Sequence, residues 1–212
     1  MCGRFYVPEK DLDDFAGLVN KIEKELLKKA GEMYPGDYVP VITPNHKYDS
    51  ELNDSLGNIR HEVHAIKWGF PVIKGRPLIN ARSETVREKP MFKIPFSKRR
   101  CLIPARGFFE WKKDENNKKR IKHYISFIDS RMMYLAGFYW FFKNQDGIPS
   151  PYFTILTAQA NDDIRPIHDR MPVIINDSNI ETWLSENSGN AIIDNLLRPL
   201  DKGLLKITQE YK

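Results

Sequence analysis

A cysteine stands at position 2, directly after Met1 and before Gly3 and Arg4 in the opening string MCGRF. The small side chain at position 2 permits removal of Met1, which leaves Cys2 as the free N-terminus. Its α-amine, titrating near ~7.7–8.0, and its thiol, near ~8.5, then sit on adjacent carbons and are both partly unprotonated at neutral pH. Such a pair captures aldehydes. The amine adds to give a Schiff base, as a lysine does with a carbonyl, and the thiol closes a thiazolidine ring that resists hydrolysis and elimination. A chance cysteine at position 2 has the same appearance, so other residues must supply the rest of a site.

Three further segments are rich in polar residues for their apolar surroundings: LINARSET from Leu78, RGFFEW from Arg106 and IHDRMPVII from Ile167. Glu110 lies between Phe109 and Trp111 in a strand pattern. If buried there its pKa rises, which suits a general acid or base near neutral pH; if strand alternation turns it to solvent, it is an ordinary surface carboxylate. His168 precedes Asp169, Arg170 and an apolar strand, and is either a proton-transfer group or a hydrogen-bonded structural histidine. Asn80 and Arg82, two apart, share a face of an extended segment, so an amide and a guanidinium converge on one ligand. Arg4, Arg82 and Arg170 have the chemistry to grip phosphate bidentately.

These residues need elements to hold them. Apolar residues at Leu12, Phe15, Val19, Ile22 and Leu26 predict an amphipathic helix over 11–29, with Gly31 as its stop. Short β-rich runs follow at 38–42, 59–68, 101–103, 107–111, 120–128, 133–140 and 152–157, separated by turn clusters at 114–119 and 144–150. Their short connections predict antiparallel pairing. Helical patterns return at 177–185, with Asp177 or Ser178 as N-cap, and at 190–197. With no repeat, linker or composition break, the expectation is one α+β domain over 1–212, with a mainly antiparallel, barrel-like β core and peripheral helices.

The 212 residues, 41% hydrophobic, suffice for a packed core. The net charge of +5 is clustered: Lys98, Arg99 and Arg100 form one run, and Lys112, Lys113, Lys118, Lys119, Arg120 and Lys122 a second. Both flank CLIPARGFFEW and are either solvated loops or a nucleic-acid groove. Two cysteines, Cys2 and Cys101, are too few for a disulfide scaffold, and no signal segment precedes the first helix pattern, so a reducing cytoplasm is expected. The apolar run at 132–142 is too short to span a membrane. Among the five histidines only His61 and His64 are close, and a three-residue offset in a strand puts them on opposite faces, so no metal site is expected.

Taken together, MCGR, WGF at Trp68, INARSET, RRCLIPARGFFEW and IHDRMPVI, in that order from residue 1 to about 185, resemble the SOS-response-associated peptidase (SRAP) family of abasic-site-processing proteins. The resemblance implies a bacterial cytoplasmic or nucleoid-associated monomer, without cofactor, metal or membrane, that binds single-stranded DNA containing abasic sites. It implies that Cys2, freed of Met1, forms a thiazolidine crosslink with the ring-opened sugar aldehyde. By the same likeness Asn80 orients the sugar or the Cys2 amine, while Glu110 and His168 shuttle protons. Arg4, Arg82 and Arg170 bind phosphates, and Trp68 and Trp111 stack on bases. Autocatalytic removal of Met1 and a lyase activity belong to the same implication. The sequence departs from the pattern near YPGDYVPVITPNHK, where a junction-wedging proline is either Pro35 or Pro40. Two alternatives stay open: an N-terminal-nucleophile glutamine amidohydrolase, which lacks its Gly-rich substrate loops here, and a non-catalytic single-strand-binding module.

Overall fold

The computed structural model describes residues 2–45, 61–72, 75–113, 120–144 and 146–210. His46, the turn cluster at 114–119 and the start of the strand expected from Ile59 lie outside them. Two helices, α1 (Glu9–Ala16) and α2 (Lys21–Leu26), replace the single helix expected over 11–29. The break has a local cause: Asn20 takes up extended backbone, and its side chain accepts a hydrogen bond from the Glu23 amide, which starts a new helix. Gly31 is not a stop but opens a strand, at φ +120°, where a side chain would be strained.

Five strands close into a barrel. β3 (Tyr38–Pro44) pairs antiparallel with β4 (His61–Trp68) and β6 (Arg100–Ala105), and β6 pairs with β9 (Met133–Lys143). β10 (Pro149–Gln159) then pairs antiparallel with β9 and parallel with β4, completing the ring. Three short strands, β5 (Asn80–Arg82), β11 (Arg170–Pro172) and β12 (Ile174–Ile175), add to β10 and β9. A separate five-stranded antiparallel sheet has the order β13-β8-β7-β1-β2. Its members are β1 (Phe5–Val7), β2 (Gly31–Met33), β7 (Gly107–Lys113), β8 (Arg120–Phe127) and β13 (Leu205–Glu210).

The run 132–142 is apolar throughout because β9 is covered on both faces. Leu135 and Tyr139 join the cluster that fills the barrel and reaches Phe5 and Phe108 of the small sheet. Ala136 and Phe138 face outward into a second cluster built by α3 (Pro90–Lys98), α4 (Ile180–Leu184) and α5 (Asn190–Leu196). The late helix expected over 177–185 begins with a 3-10 turn at Asp177–Asn179, and neither Asp177 nor Ser178 caps it. At the turn expected over 144–150, Asn144 Oδ1 accepts from the Asp146 and Ile148 amides at 2.9 Å each, and Gly147 takes φ +77°. The structure is α+β with a sheet and barrel core, as the strand pattern predicts.

Candidate active site at the N-terminus

Cys2 lies where the small sheet meets the barrel. On one side, β1 pairs with β7 through Phe5↔Phe108, and the Phe109 amide donates to the Arg4 carbonyl at 2.9 Å. Carried two residues further, this antiparallel register sets Gly3 opposite Glu110 and Cys2 opposite Trp111. On the other side, β5 lies along β10 with Asn80 opposite Ile155, and Asn80 Nδ2 donates to the Cys2 carbonyl at 2.9 Å. Trp68 Nε1 donates to the Ile79 carbonyl at 3.0 Å, which fixes the residue before Asn80. Two residues 78 apart in sequence are thus brought into contact by two short strands, neither of which has an apolar period of its own.

Cys2 is fully buried. Burial first, and then the negative charge of Glu110, push its thiol far above the ordinary cysteine range, against a smaller opposing pull from its hydrogen bond at Arg4. The thiol therefore rests protonated at neutral pH. Glu110 itself is 3% exposed, so strand alternation does not turn it to solvent. Asn80 Oδ1 is also buried, with no hydrogen-bond partner among the described residues, and is left to accept a bond from a group arriving at Cys2.

His168 follows a turn in which Asn161 Oδ1 accepts from the Ile164 amide at 3.1 Å, and the His168 amide returns to the Ile164 carbonyl at 3.0 Å. Its Nδ1 lies 3.0 Å from the Arg170 amide and 2.8 Å from Asp169 Oδ1. It cannot serve both at once, since the amide needs a lone pair and the carboxylate a proton. The Asp169 side chain is 81% exposed, and accepting the buried amide bond at Nδ1 leaves Nε2 as the nitrogen that carries a ring proton. Ile164 and Met171, which flank His168 in the chain, share the hydrophobic cluster that contains Cys2. The structure joins Asn80 to Cys2 by a hydrogen bond and sets Glu110 close enough for its charge to act on the Cys2 thiol, while His168 follows a turn whose Ile164 belongs to the large interior cluster that also holds Cys2.

The expected DNA contacts divide. Arg4 lies between the rings of Tyr34 (4.4 Å) and Trp111 (4.8 Å), and its Nη1 bonds Glu32 at 2.8 Å. Glu32 also takes Lys122. Burial works against its ionisation, but the hydrogen bonds from Lys122 and Arg4 outweigh this and hold it below the usual carboxylate range. Glu32 and Tyr34, which sequence reasoning passed over, are two apart at a strand end, a spacing that puts both on one face. Arg82 is exposed at the end of β5, and Trp111 is partly exposed.

Three expectations fail for physical reasons, and one open choice narrows. Trp68 does not stack on bases: it is 1% exposed, with Phe5 and Phe153 rings at 5.1 and 6.1 Å. Arg170 is not a free phosphate grip. Its side chain is 8% exposed, and its guanidinium is held by both Glu84 oxygens at 2.6 and 2.8 Å and by the Thr157 carbonyl. Arg100 of the first basic run is buried and donates to the Trp183 and Ser185 carbonyls. Pro40 is buried in β3 opposite Ala65, so Pro35, exposed beside Gly36, is the proline open to a partner. Of the second run, Lys112, Lys113 and Arg120 are exposed, Lys122 is paired with Glu32 and Glu210, and Lys118 and Lys119 lie outside the described residues. His61 meets Glu181 while His64 meets Glu23 and Glu62, and no cluster of metal ligands occurs among the described residues. None of the described helices is long and apolar enough to cross a membrane.

An α+β chain whose penultimate cysteine is clamped between a closed barrel and a small sheet is the class that fold and site define. Residues 1–209 match the family described as SOS response associated peptidase (SRAP), and the chain belongs to that family. It is similar to the abasic site processing protein YoqW of Bacillus subtilis, 33% identical over 208 residues that cover 95% of this chain and 88% of that protein. It is also similar to the abasic site processing protein YedK of Escherichia coli, 28% identical with 88% of this chain and 80% of that one covered. Among solved structures, a protein of Bacteroides thetaiotaomicron superposes with a TM-score of 0.79 at 26% identity, covering 98% of this chain and 91% of that one. A Bordetella bronchiseptica protein, 20% identical with a TM-score of 0.75 and full coverage of both chains, shares the fold.

Proposed function

We propose that this protein processes abasic sites in single-stranded DNA by trapping the ring-opened sugar on Cys2. The observation that carries this reading is the clamp on Cys2: a backbone hydrogen bond from Asn80 on one side and the buried carboxylate of Glu110 on the other, at a residue that becomes the N-terminus once Met1 is cleaved. Relatives over nearly the whole chain are named as abasic site processing proteins, which supplies the aldehyde. Autocatalytic cleavage of Met1 and strand scission from an untrapped Schiff base are further parts of the proposal.

The order of events follows from protonation. The thiol rests as S–H, so the freed α-amine attacks the C1 aldehyde first. The carbinolamine loses water to give the Schiff base, with Glu110 taking the amine proton and returning one to the departing oxygen. The thiol sulfur then adds to the same carbon while its proton passes by way of Glu110 to the nitrogen, so that aldehyde plus aminothiol gives thiazolidine plus one water. Asn80 Oδ1 accepts from the amine and holds its lone pair toward the carbon. Before this, His168 Nε2–H donates to the sugar ring oxygen as its bond to C1 breaks, while Glu110 takes the C1 hydroxyl proton, so that the aldehyde forms. Exposed Arg82 and half-exposed Trp111 meet the strand beside the lesion.

The test uses Met1-processed protein and a single-stranded oligonucleotide with one abasic site, read as a denaturation-resistant protein–DNA band. Cys2→Ala is expected to abolish the band, as is retention of Met1 or acetylation of Cys2. A full yield from Cys2→Ala refutes the thiazolidine; a full yield from the amine-blocked protein points to a plain thiol adduct.

A further inference from the structure

Outside the barrel, four side chains stand at one level of the strand ladder. Tyr38 on β3 faces Lys67 on β4, Lys67 faces Tyr152 on β10, and Tyr152 faces Trp140 on β9. Directly opposed residues share a face of the sheet. That face is the outer one, because the chain neighbours Val39, Ile66, Phe153 and Tyr139 all fill the barrel interior. Each of the four is partly exposed. Lys67 Nζ is 5.7 Å from the centre of the Tyr38 ring. Beyond the far end of the row Arg99 stands opposite Tyr139, donates to its hydroxyl at 3.3 Å, and lies 5.2 Å from the Phe141 ring and 5.6 Å from the Trp140 ring.

The charges on this row differ from those of the three cations nearer the core. Arg4, Lys122 and Arg170 are each met by a carboxylate, whereas Lys67 and Arg99 form no ion pair among the described residues. The row also connects to the Cys2 site: the Lys28 amide donates to the Tyr38 carbonyl at 3.0 Å, and Lys28 Nζ lies 4.2 Å over Tyr34, one of the two rings around Arg4. Rings alternating with unneutralised cations suit a polyanion with stackable faces.

We propose that this row is an extension of the single-strand path, on which bases beyond the lesion stack while Lys67 meets their phosphates. The proposal rests on the reading of Cys2 as the abasic-site trap. Three strand spacings make the row roughly 14 Å long, enough for more than one nucleotide. Arg82, Trp111 and the Arg4 cluster hold the lesion; the row sets how much flanking strand the protein grips.

The experiment measures non-covalent binding to Cys2→Ala protein by fluorescence anisotropy. It uses abasic oligonucleotides of about three and about ten nucleotides, the longer within the ~4–16 typical of a single-strand site. Tyr38→Ala is expected to weaken the long strand about tenfold, the size of one lost stacking contact. Lys67→Gln is expected to flatten the slope of log affinity against log salt by about 0.7, the value for one phosphate contact on a single strand. Neither change alters binding of the short strand, nor its crosslinking when Cys2 is present. Unchanged long-strand affinity and salt slope in both variants overturn the row, and so does an equal loss on both strands. Failure of the unsubstituted protein to crosslink either strand overturns the Cys2 reading instead, so the two are distinguishable.

Discussion

Glu84→Gln tests whether Arg170 is an internal brace or a DNA contact. In the structure Arg170 is nearly sealed, and two charge-assisted bonds of 2.6 and 2.8 Å join it to a Glu84 side chain that is 43% exposed. Hydrogen bonds to charged groups contribute about 1.5–3 kcal/mol when buried. Exposure of Glu84 cuts each to about 1 kcal/mol, and glutamine keeps one acceptor oxygen, so a loss of about 1–2 kcal/mol is expected. For a chain of this length that lowers the melting temperature by about 5 °C. The loss depends on pH. The hydrogen bonds from Arg170 hold the Glu84 carboxyl below its usual range, so its contribution is complete above the unfolded value near ~4.3 and fades as pH falls through the lower folded value. Urea unfolding of both proteins at pH 7, and then in acid steps, is therefore expected to show a gap that closes below about pH 4. The salt slope of DNA binding is expected to stay the same. A gap independent of pH refutes the ion pair as the source of the effect. A slope steeper by about 0.7 in the variant refutes the internal brace, because a guanidinium released from Glu84 has then reached a phosphate.

Two tryptophans that look alike in the sequence are expected to behave differently. Trp68→Ala removes a fully buried ring between Phe5 and Phe153 and is expected to cost about 3–5 kcal/mol in urea unfolding, whereas Trp111→Ala costs about 1 kcal/mol yet weakens strand binding about tenfold. Gly107→Ala puts a Cβ 2.4 Å from the Ile125 carbonyl of the paired strand, which forces β7 from β8. A loss of about 1–3 kcal/mol and a slower crosslink are expected, since Glu110 rides on β7; a crosslink rate unchanged by the substitution argues against Glu110 as the proton carrier.

β3, β6, β7, β9 and β10 were legible as apolar runs and β4 and β8 as alternating ones, and all seven fall where the pattern predicts, with ends within three residues of it. The missing strands are of a different kind. β1, β2, β5 and β11 have three residues each and β12 has two, too few for any period to show, and they form because a neighbour offers an edge. α3 was hidden for another reason: it begins at Pro90 and contains Pro95, so propensity argues against a helix that packing of Phe96 into the outer cluster stabilises. The position of Asn80 beside Cys2 depends on β5, and so could not be read from periodicity.

The site residues divide along the same line between what side-chain chemistry announces and what only long-range pairing decides. Arginine type suggested a phosphate grip at Arg170, but its role is set by Glu84, 86 residues away in the chain. Cys2 shows the division within one residue. The aminothiol was evident from MCGR, yet free-solution chemistry leaves both nucleophiles partly active at neutral pH. Burial and Glu110 remove that equality by holding the thiol protonated. An amine that attacks first commits the sugar to a Schiff base, from which either ring closure or elimination can follow. A sulfur already held against the same backbone, with Glu110 beside it to carry the proton to nitrogen, favours closure. In the proposed reaction the fold would thus bias the outcome toward a stable adduct rather than a cut strand, through the burial of one thiol.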